Sequence, residues 1–263
     1  MTKTILITGA GSGIGHDAAF ALAARGHRVL ATTFTEDQAN ALRTESQTRQ
    51  QAMDVFKLDI TSAADRDKTL EFEIDVLINN AAIGESGSLA EVDVNRIRQA
   101  FEVNVFATLE LTQTVLRGMI DRQRGTVLFV SSIAGRIPMP FLMPYSMTKF
   151  ALSAAGAGLR EEMDVLGRNV HIALIEPGAI HTGFNQAMTE RKYEWMSEAS
   201  YFKDVATQIK TKETRTFRFL EARTTNSIVK KIIQATEARR PSLRYVAPWA
   251  QGFMVRLARI FGT

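Results

Sequence analysis

Short, continuous apolar runs rich in β-branched residues alternate with helix-patterned segments along most of this chain, and that alternation excludes most folds. The runs are Thr4–Thr8, Val29–Thr33, Val55–Leu58, Val76–Asn79, Val127–Ser131, His171–Glu176 and Leu243–Ala247. Between them lie Ile14–Arg25, Glu36–Arg49, Ala63–Phe72, Val94–Arg122, Ser146–Leu166 and Asn226–Glu237, each patterned as a helix. A strand that is apolar on both sides must be covered on both sides, and parallel strands need helical crossovers to bring the chain back. The expected fold class is therefore α/β: one doubly wound domain with a parallel seven-stranded sheet and helices on both faces. Thr35-Glu36-Asp37-Gln38 has the form of a capping box, which starts the second helix.

With 263 residues, 45% of them hydrophobic, the chain is long enough for one large core, and a single domain over residues 1–263 is expected. One region breaks the rhythm. From Gly183 to about Arg223 there is no strand pattern, and aromatic residues including Phe184, Tyr193, Trp195, Tyr201 and Phe217 punctuate a polar background. An insertion of that size is either a lid-like segment at about 183–223 or structure that faces another subunit.

Cysteine is absent, which excludes disulfides, thiolate metal sites and cysteine nucleophiles and is consistent with a cytoplasmic location. No metal site is expected. The apolar run after Met1 is too short for a signal peptide, and no stretch approaches the roughly 20 apolar residues of a membrane span. From Arg191 onward there are 15 Lys/Arg against 6 Asp/Glu, so the first 190 residues hold 17 and 22 of the chain's 32 and 28. That basic end is either a solvated helical face or a surface that draws an anionic substrate or a membrane. Nucleic acid is not expected as a partner, because no basic cluster is interleaved with aromatics.

Thr8-Gly9-Ala10-Gly11-Ser12-Gly13-Ile14-Gly15 follows the first strand and opens the first helix. Glycines there let the backbone turn tightly and approach a pyrophosphate at the helix N-terminus, although a glycine turn without a ligand looks the same. Asp59 and Ile60, at the end of the third strand, stand where an adenine edge could bind; Asp59 could equally cap a helix. Tyr145-Ser146-Met147-Thr148-Lys149 puts a phenol and an ammonium four residues apart on one helix face. A phenol titrates near about 10 in water, and a neighbouring cation favours its phenolate, so the pair could exchange a proton with a substrate hydroxyl. A surface pair has the same spacing. What distinguishes this one is Ser132, at the end of the fifth strand, where a hydroxyl projects into the ligand crevice of an open α/β sheet and can bind a reacting oxygen.

With these features in order, the chain resembles the short-chain dehydrogenase/reductase family, in its non-extended branch and on a Rossmann-type fold, over roughly Lys3 to Thr182. The resemblance rests on Thr8-Gly9-x-x-x-Gly13-Ile14-Gly15, Asn79-Asn80-Ala81-Ala82, Asn104, Ser132, Tyr145-x-x-x-Lys149, and Pro177-Gly178 with Thr182. It implies an NAD(P)-dependent oxidoreductase that moves hydride between nicotinamide and a secondary alcohol or ketone. In it Tyr145 is the acid/base, Ser132 orients the carbonyl, Lys149 binds the nicotinamide ribose, and Asn104 holds a relay water. It also implies that Gly9, Ser12, Gly13, Ile14 and Gly15 wrap the cofactor phosphates. Asn80, Ala81 and Ala82 would lie along the adenosine side, and Pro177, Gly178 and Thr182 at the nicotinamide end.

Two departures stand out. Ala82 replaces the family's usual glycine, which is tolerable if its φ is negative. The second strand ends Thr33-Phe34-Thr35 without the acid of NAD-preferring members, and neither Phe34 nor Ser12 is the base that NADP-preferring members carry. NADP(H) is favoured over NAD(H), with Thr33 or Thr35 as phosphate ligands.

Apolar residues such as Ile83, Ile133, Pro138, Phe141 and Met143 point to an apolar or bulky substrate, whether steroid-like, retinoid-like, acyl or aromatic; Arg240–Tyr245 resembles the tails of steroid- and retinoid-handling members. The segment from Trp249 to Phe261 has apolar groups at helical spacing, for packing on the core or a partner or for peripheral membrane contact. A homodimer or homotetramer is what the resemblance implies. The alternatives are a non-catalytic dinucleotide-sensing or binding protein on the same fold, and an epimerase or dehydratase, which normally needs a longer substrate domain.

Overall fold

The seven apolar runs form β1 (Thr4–Ile7), β2 (Arg28–Thr33), β3 (Asp54–Lys57), β4 (Val76–Asn79), β5 (Arg124–Val130), β6 (Asn169–Pro177) and β7 (Arg244–Ala247). All pair in parallel, in the order β3-β2-β1-β4-β5-β6-β7. The computed structural model describes residues 2–196 and 199–261, without the side chains of Glu194 and Trp195. Of the expected domain, Met1, Ser197, Glu198, Gly262 and Thr263 therefore lie outside the described residues, as does the Trp195 side chain of the expected insertion.

Ten helices are described: α1 (Gly13–Ala23), α2 (Glu36–Thr48), α3 (Ala63–Asp67), α4 (Val94–Phe101), α5 (Thr108–Asp121), α6 (Met143–Leu166), α7 (Phe184–Trp195), α8 (Ala206–Leu220), α9 (Asn226–Glu237) and α10 (Trp249–Ile260). Period-two alternation sends successive strand residues to opposite layers. Ile5, Ile7, Val76, Ile78, Leu128 and Ile175 pack with α1 and α9. Leu6, Leu77, Val127, Phe129 and Leu174 pack with α5 and α6 on the other face. Both layers are closed to water, which is why the strands read as unbroken apolar runs.

Strand order reverses between β1 and β4, and the crevice beyond the carboxyl ends of such neighbours is where ligands of open α/β sheets bind. The register Ile7↔Ile78, Ile78↔Leu128 and Leu128↔Ala173 keeps those strand ends level.

Three boundaries differ from the sequence pattern in ways that shape the site. The expected helix Val94–Arg122 is two helices joined by a π turn, Glu102–Ala107, which carries Asn104; such short i→i+5 turns interrupt α-helices without a terminator such as proline or glycine, and none marks this one. Helix α6 starts at Met143 rather than Ser146, with Pro144 in its first turn, where the missing N–H costs nothing. The insertion contains α7 and α8, and a parallel bridge Ile180↔Ala222 closes its base. The capping box of α2 forms: Gln38 N donates to Thr35 Oγ1 at 3.2 Å and Thr35 N to Gln38 Oε1 at 3.3 Å.

Helix α10 buries Gln251 and Val255, while Trp249, Phe253, Leu257 and Ile260 face outward. Among the described residues no helix is long and apolar enough to cross a membrane.

Candidate active site

A cleft of about 950 Å³ opens at the carboxyl end of the sheet. At one end the glycine turn forms its floor. Gly9 and Gly13 have φ of +66° and +59°, and a side chain at Gly9 would meet the Ala81 backbone at 2.9 Å. At Gly13 a methyl would press on Thr182 at 3.2 Å, which brings Thr182 against the turn. Ser12 and Ile14 line the cleft beside them.

Asn80 staples this turn in place. Its side-chain amide donates to the carbonyls of Thr8 and Gly9 at 2.9 and 3.0 Å, and the Thr8 hydroxyl accepts the backbone N–H groups of Asn80 and Ala81, both at 3.0 Å. Ala82 has no positive φ, so its methyl is accommodated.

Two expected cofactor contacts do not lie on the cleft. Gly15 is buried under the turn, where a methyl would come within 2.4 Å of Asn80 Nδ2 and 2.5 Å of the Gly9 carbonyl. Its bare backbone serves the packing of helix on turn. Thr33 is 1% exposed, and its hydroxyl donates to the Thr35 carbonyl at 2.9 Å. The last side chain of β2 turns inward, so Thr33 is not presented to a phosphate. Gly15→Ala is expected to cost roughly 1–3 kcal/mol by overpacking. A melting temperature equal to wild type would show that the turn relaxes freely.

Phe34, 63% exposed, and Gln38 border the cleft past β2; Asp59, Ile60 and Thr61 border it past β3. Asp59 does not cap α3, since Ser62 takes that place; one Asp59 oxygen accepts from the N–H and hydroxyl of Thr61 at 3.0 and 2.7 Å. Pro177, Gly178 and Thr182 line the opposite end. Gln251 of α10 anchors that loop by accepting from Ala179 N at 2.7 Å while donating to the Leu220 carbonyl at 2.7 Å.

Between the two ends stand Ser132, Tyr145 and Lys149. The Ser132 hydroxyl hydrogen-bonds the Tyr145 phenol and lies 3.3 Å from the Pro177 carbonyl. Lys149 Nζ sits 5.5 Å from the Tyr145 ring centre and donates to the Val130 carbonyl at 2.8 Å. Burial raises the phenol's pKa above the usual tyrosine range, partly offset by Ser132, and burial pushes the Lys149 ammonium down to about 8. Burial thus keeps the phenol protonated and brings the ammonium's titration closer to neutral pH, and a charge brought into these dry surroundings would act on both strongly.

Asn104 is 1% exposed and off the cleft. Its side chain exchanges hydrogen bonds with Ile83 (2.8 and 2.9 Å) and donates to Thr148 Oγ1 at 3.1 Å, tying the wall after β4 to α6. Of the expected pocket wall, Ile83 and Ile133 line the cleft, while Pro138, Phe141 and Met143 do not. Met139 and Leu142 take their place from the same loop, joined by Phe184, Met188 and Arg191 of α7. The sequence marked that segment only as an insertion without a strand pattern, not as a helix or by the face that meets the cleft.

A doubly wound sheet with a glycine cradle at its switch point and a buried phenol, amine and hydroxyl beside it defines a class of nucleotide-dependent α/β proteins. The family model described as short chain dehydrogenase matches residues 3–193, and the chain belongs to that family. The rat protein Dehydrogenase/reductase SDR family member 7B is 32% identical over 193 residues, covering 69% of this chain and 59% of that one. The chain thus spans about three-fifths of the length of this curated relative. A short chain dehydrogenase/reductase from Burkholderia phymatum in complex with NAD has a TM-score of 0.82 at 22% identity, over 98% of this chain and 93% of that chain. A gluconate 5-dehydrogenase from Burkholderia cenocepacia J2315, in complex with NADP and tartrate, has a TM-score of 0.65 at 28% identity, over 70% and 74%.

Proposed function

We propose that this protein is an NAD(P)-dependent oxidoreductase acting on a secondary alcohol or ketone. The observation that carries the reading is the phenol of Tyr145, buried in the same cleft as Ser132, Lys149 and the positive-φ glycines. The residues fit a dinucleotide: Gly9 and Gly13, whose positive φ and close neighbours leave no room for a side chain, line the cleft together with Ser12 and Ile14 at the start of α1, where a helix N-terminus suits a pyrophosphate. Bound there, the nicotinamide would supply or accept hydride at the substrate carbon.

The chain's own residues handle the proton. In ketone reduction Tyr145 gives its phenolic proton to the substrate oxygen while Ser132 hydrogen-bonds that oxygen; in alcohol oxidation the phenolate takes the proton back. Lys149, four residues along α6, stabilises the phenolate and reaches toward the nicotinamide ribose. Asn104 acts by fixing Ile83. Helices α7 and α8 form a lid over the substrate end, supported by Phe184, Met188 and Phe217 on the cleft.

NADP(H) is the preferred cofactor in this reading, because Phe34 and Gln38 place no acid where a 2′-phosphate would stand. Thr35 is the better-placed ligand, since its Oγ1 only accepts from Gln38 N and keeps its proton to donate. Spectroscopic assay of a ketone and alcohol panel with NADPH and NADH side by side tests both points. Tight cofactor binding without turnover would favour a sensor, and equal use of both cofactors would remove the NADP(H) preference.

The pH dependence has a defined sign. Reduction uses the phenol, which burial keeps protonated, so it is expected to be level through neutral pH and to fall as pH rises. Oxidation uses the phenolate and is expected to climb over the same range, roughly pH 6–10. Initial rates in both directions check this; profiles running the same way would rule out Tyr145 as the shared acid and base.

A further inference from the structure

We infer that Arg191 binds an anionic group at the far end of the substrate, so that the preferred ketone or alcohol carries a carboxylate across an apolar spacer; this rests on the oxidoreductase reading above. Phe184, Met188 and Arg191 follow one another at i, i+4 and i+7 on α7, hence on one helix face, and all three line the cleft. The Phe184 ring lies 5.7 Å from the Tyr145 ring, and Met188, 3% exposed, packs with Tyr145 and Ala134. Seven residues of helix carry Arg191 about 10 Å along the axis from Phe184. The cleft thus runs from a proton donor, past methionine and phenylalanine, to a guanidinium.

That guanidinium is not consumed by the fold. Among the described residues its carboxylate neighbour is Glu85, at 3.9 Å, beyond hydrogen-bond reach. Glu85 is already occupied: it accepts Arg96 Nε and Nη2, both at 3.1 Å, and the Ser86 N–H at 2.9 Å. Helix α7 is meanwhile firmly seated, since Ser86 Oγ donates to the Met188 carbonyl at 2.5 Å and a side chain on Gly84 would strike Met188 at 2.7 Å. Arg191 therefore presents a planar pair of donors from a fixed backbone, the geometry that suits a carboxylate. The other cation of the cleft lining is Lys149, which stays with Tyr145. The neighbouring guanidinium, Arg96, is neutralised by Glu85, so Arg191 is left to balance one negative charge, which favours a carboxylate over a phosphate dianion.

The test separates binding from turnover. The full chain, saturated with oxidised cofactor, is titrated calorimetrically with decanoate and with decanamide, which share a chain and differ in charge. Wild type is expected to bind the carboxylate about fivefold tighter or more, and Arg191→Gln to erase that preference. Arg191→Glu should invert it. Equal binding of both ligands by wild type, or a preference that survives Arg191→Gln, would overturn the inference. In parallel, a medium-chain ketone with a terminal carboxylate and its methyl ester are assayed with reduced cofactor. A higher kcat/KM for the carboxylate, carried by KM and lost in Arg191→Gln, supports the inference. Turnover of both with no such difference overturns it. Arg191-dependent binding without turnover of either would sink the oxidoreductase reading while leaving the anion site standing.

Discussion

Tyr145→Phe is expected to lower turnover by roughly 10²–10⁴-fold in both directions while leaving cofactor binding in place. The substitution removes one oxygen and keeps the ring. The ring is what packs: it lies against Phe184, Met188 and Ala134, so the first turn of α6 should keep its seat. In the proposed reaction the phenolic O–H is what reacts. Ser132 cannot replace it, since a serine hydroxyl is far too weak an acid at neutral pH, and Lys149 is turned toward the Val130 carbonyl. Steady-state rates, with a fluorescence titration of cofactor on the same preparation, decide the matter. Binding intact and turnover reduced by less than about tenfold would mean that the proton comes from elsewhere.

The second large effect lies behind the site. Glu176, 0% exposed at the end of β6, holds Arg136 at 2.8 Å with one oxygen and Arg244 with the other. Arg136 belongs to the loop that follows Ser132, and Arg244 opens β7. One carboxylate thereby joins three adjacent segments behind the end of the cleft lined by Pro177 and Gly178. Glu176→Gln preserves the shape but removes the charge and points an amide at one guanidinium. Breaking a buried ion pair from one side costs about 3–5 kcal/mol. The lower figure is expected, because Arg136 and Arg244 keep some contact with water, at 18% and 28% side-chain exposure. In a chain of this size about 3 kcal/mol lowers the melting temperature by roughly 6–12 °C. A thermal melt shifted by less than about 2 °C would show that solvent already satisfies the two arginines. A lower kcat in the variant at temperatures where it is folded would show that the same carboxylate also steadies Ser132.

Neither Glu176 nor Arg191 stood out in the sequence, and the reason is the same for both. Hydrophobic periodicity reports which residues are buried and on which face, because burial repeats along an element. It does not report which polar groups meet across elements. Arg136, Glu176 and Arg244 are far apart in the chain and meet only because β5, β6 and β7 are neighbours. Arg191 reads as one more charge in a basic region until α7 is seated on the loop after β4. The two cofactor contacts that left the cleft, Gly15 and Thr33, show the complementary limit. A motif marks a backbone course, and a one-residue turn decides whether a side chain faces ligand or core. The π turn at Glu102–Ala107 was not marked either, because a change of backbone hydrogen bonding from i→i+4 to i→i+5 carries no glycine or proline signal here.

From sequence alone came the number of strands, their burial on both faces, the glycine turn, and the Ser132, Tyr145 and Lys149 trio. These follow from local chemistry: unbroken β-branched runs, glycines where the backbone must turn tightly, and a fixed i, i+4 spacing on a helix. Tertiary structure decided the order of the strands, the company kept by Glu176, the inward turn of Thr33 and the side of α7 that lines the cleft. Those depend on contacts between residues distant in the chain, and such contacts take shape only when the whole sheet has closed.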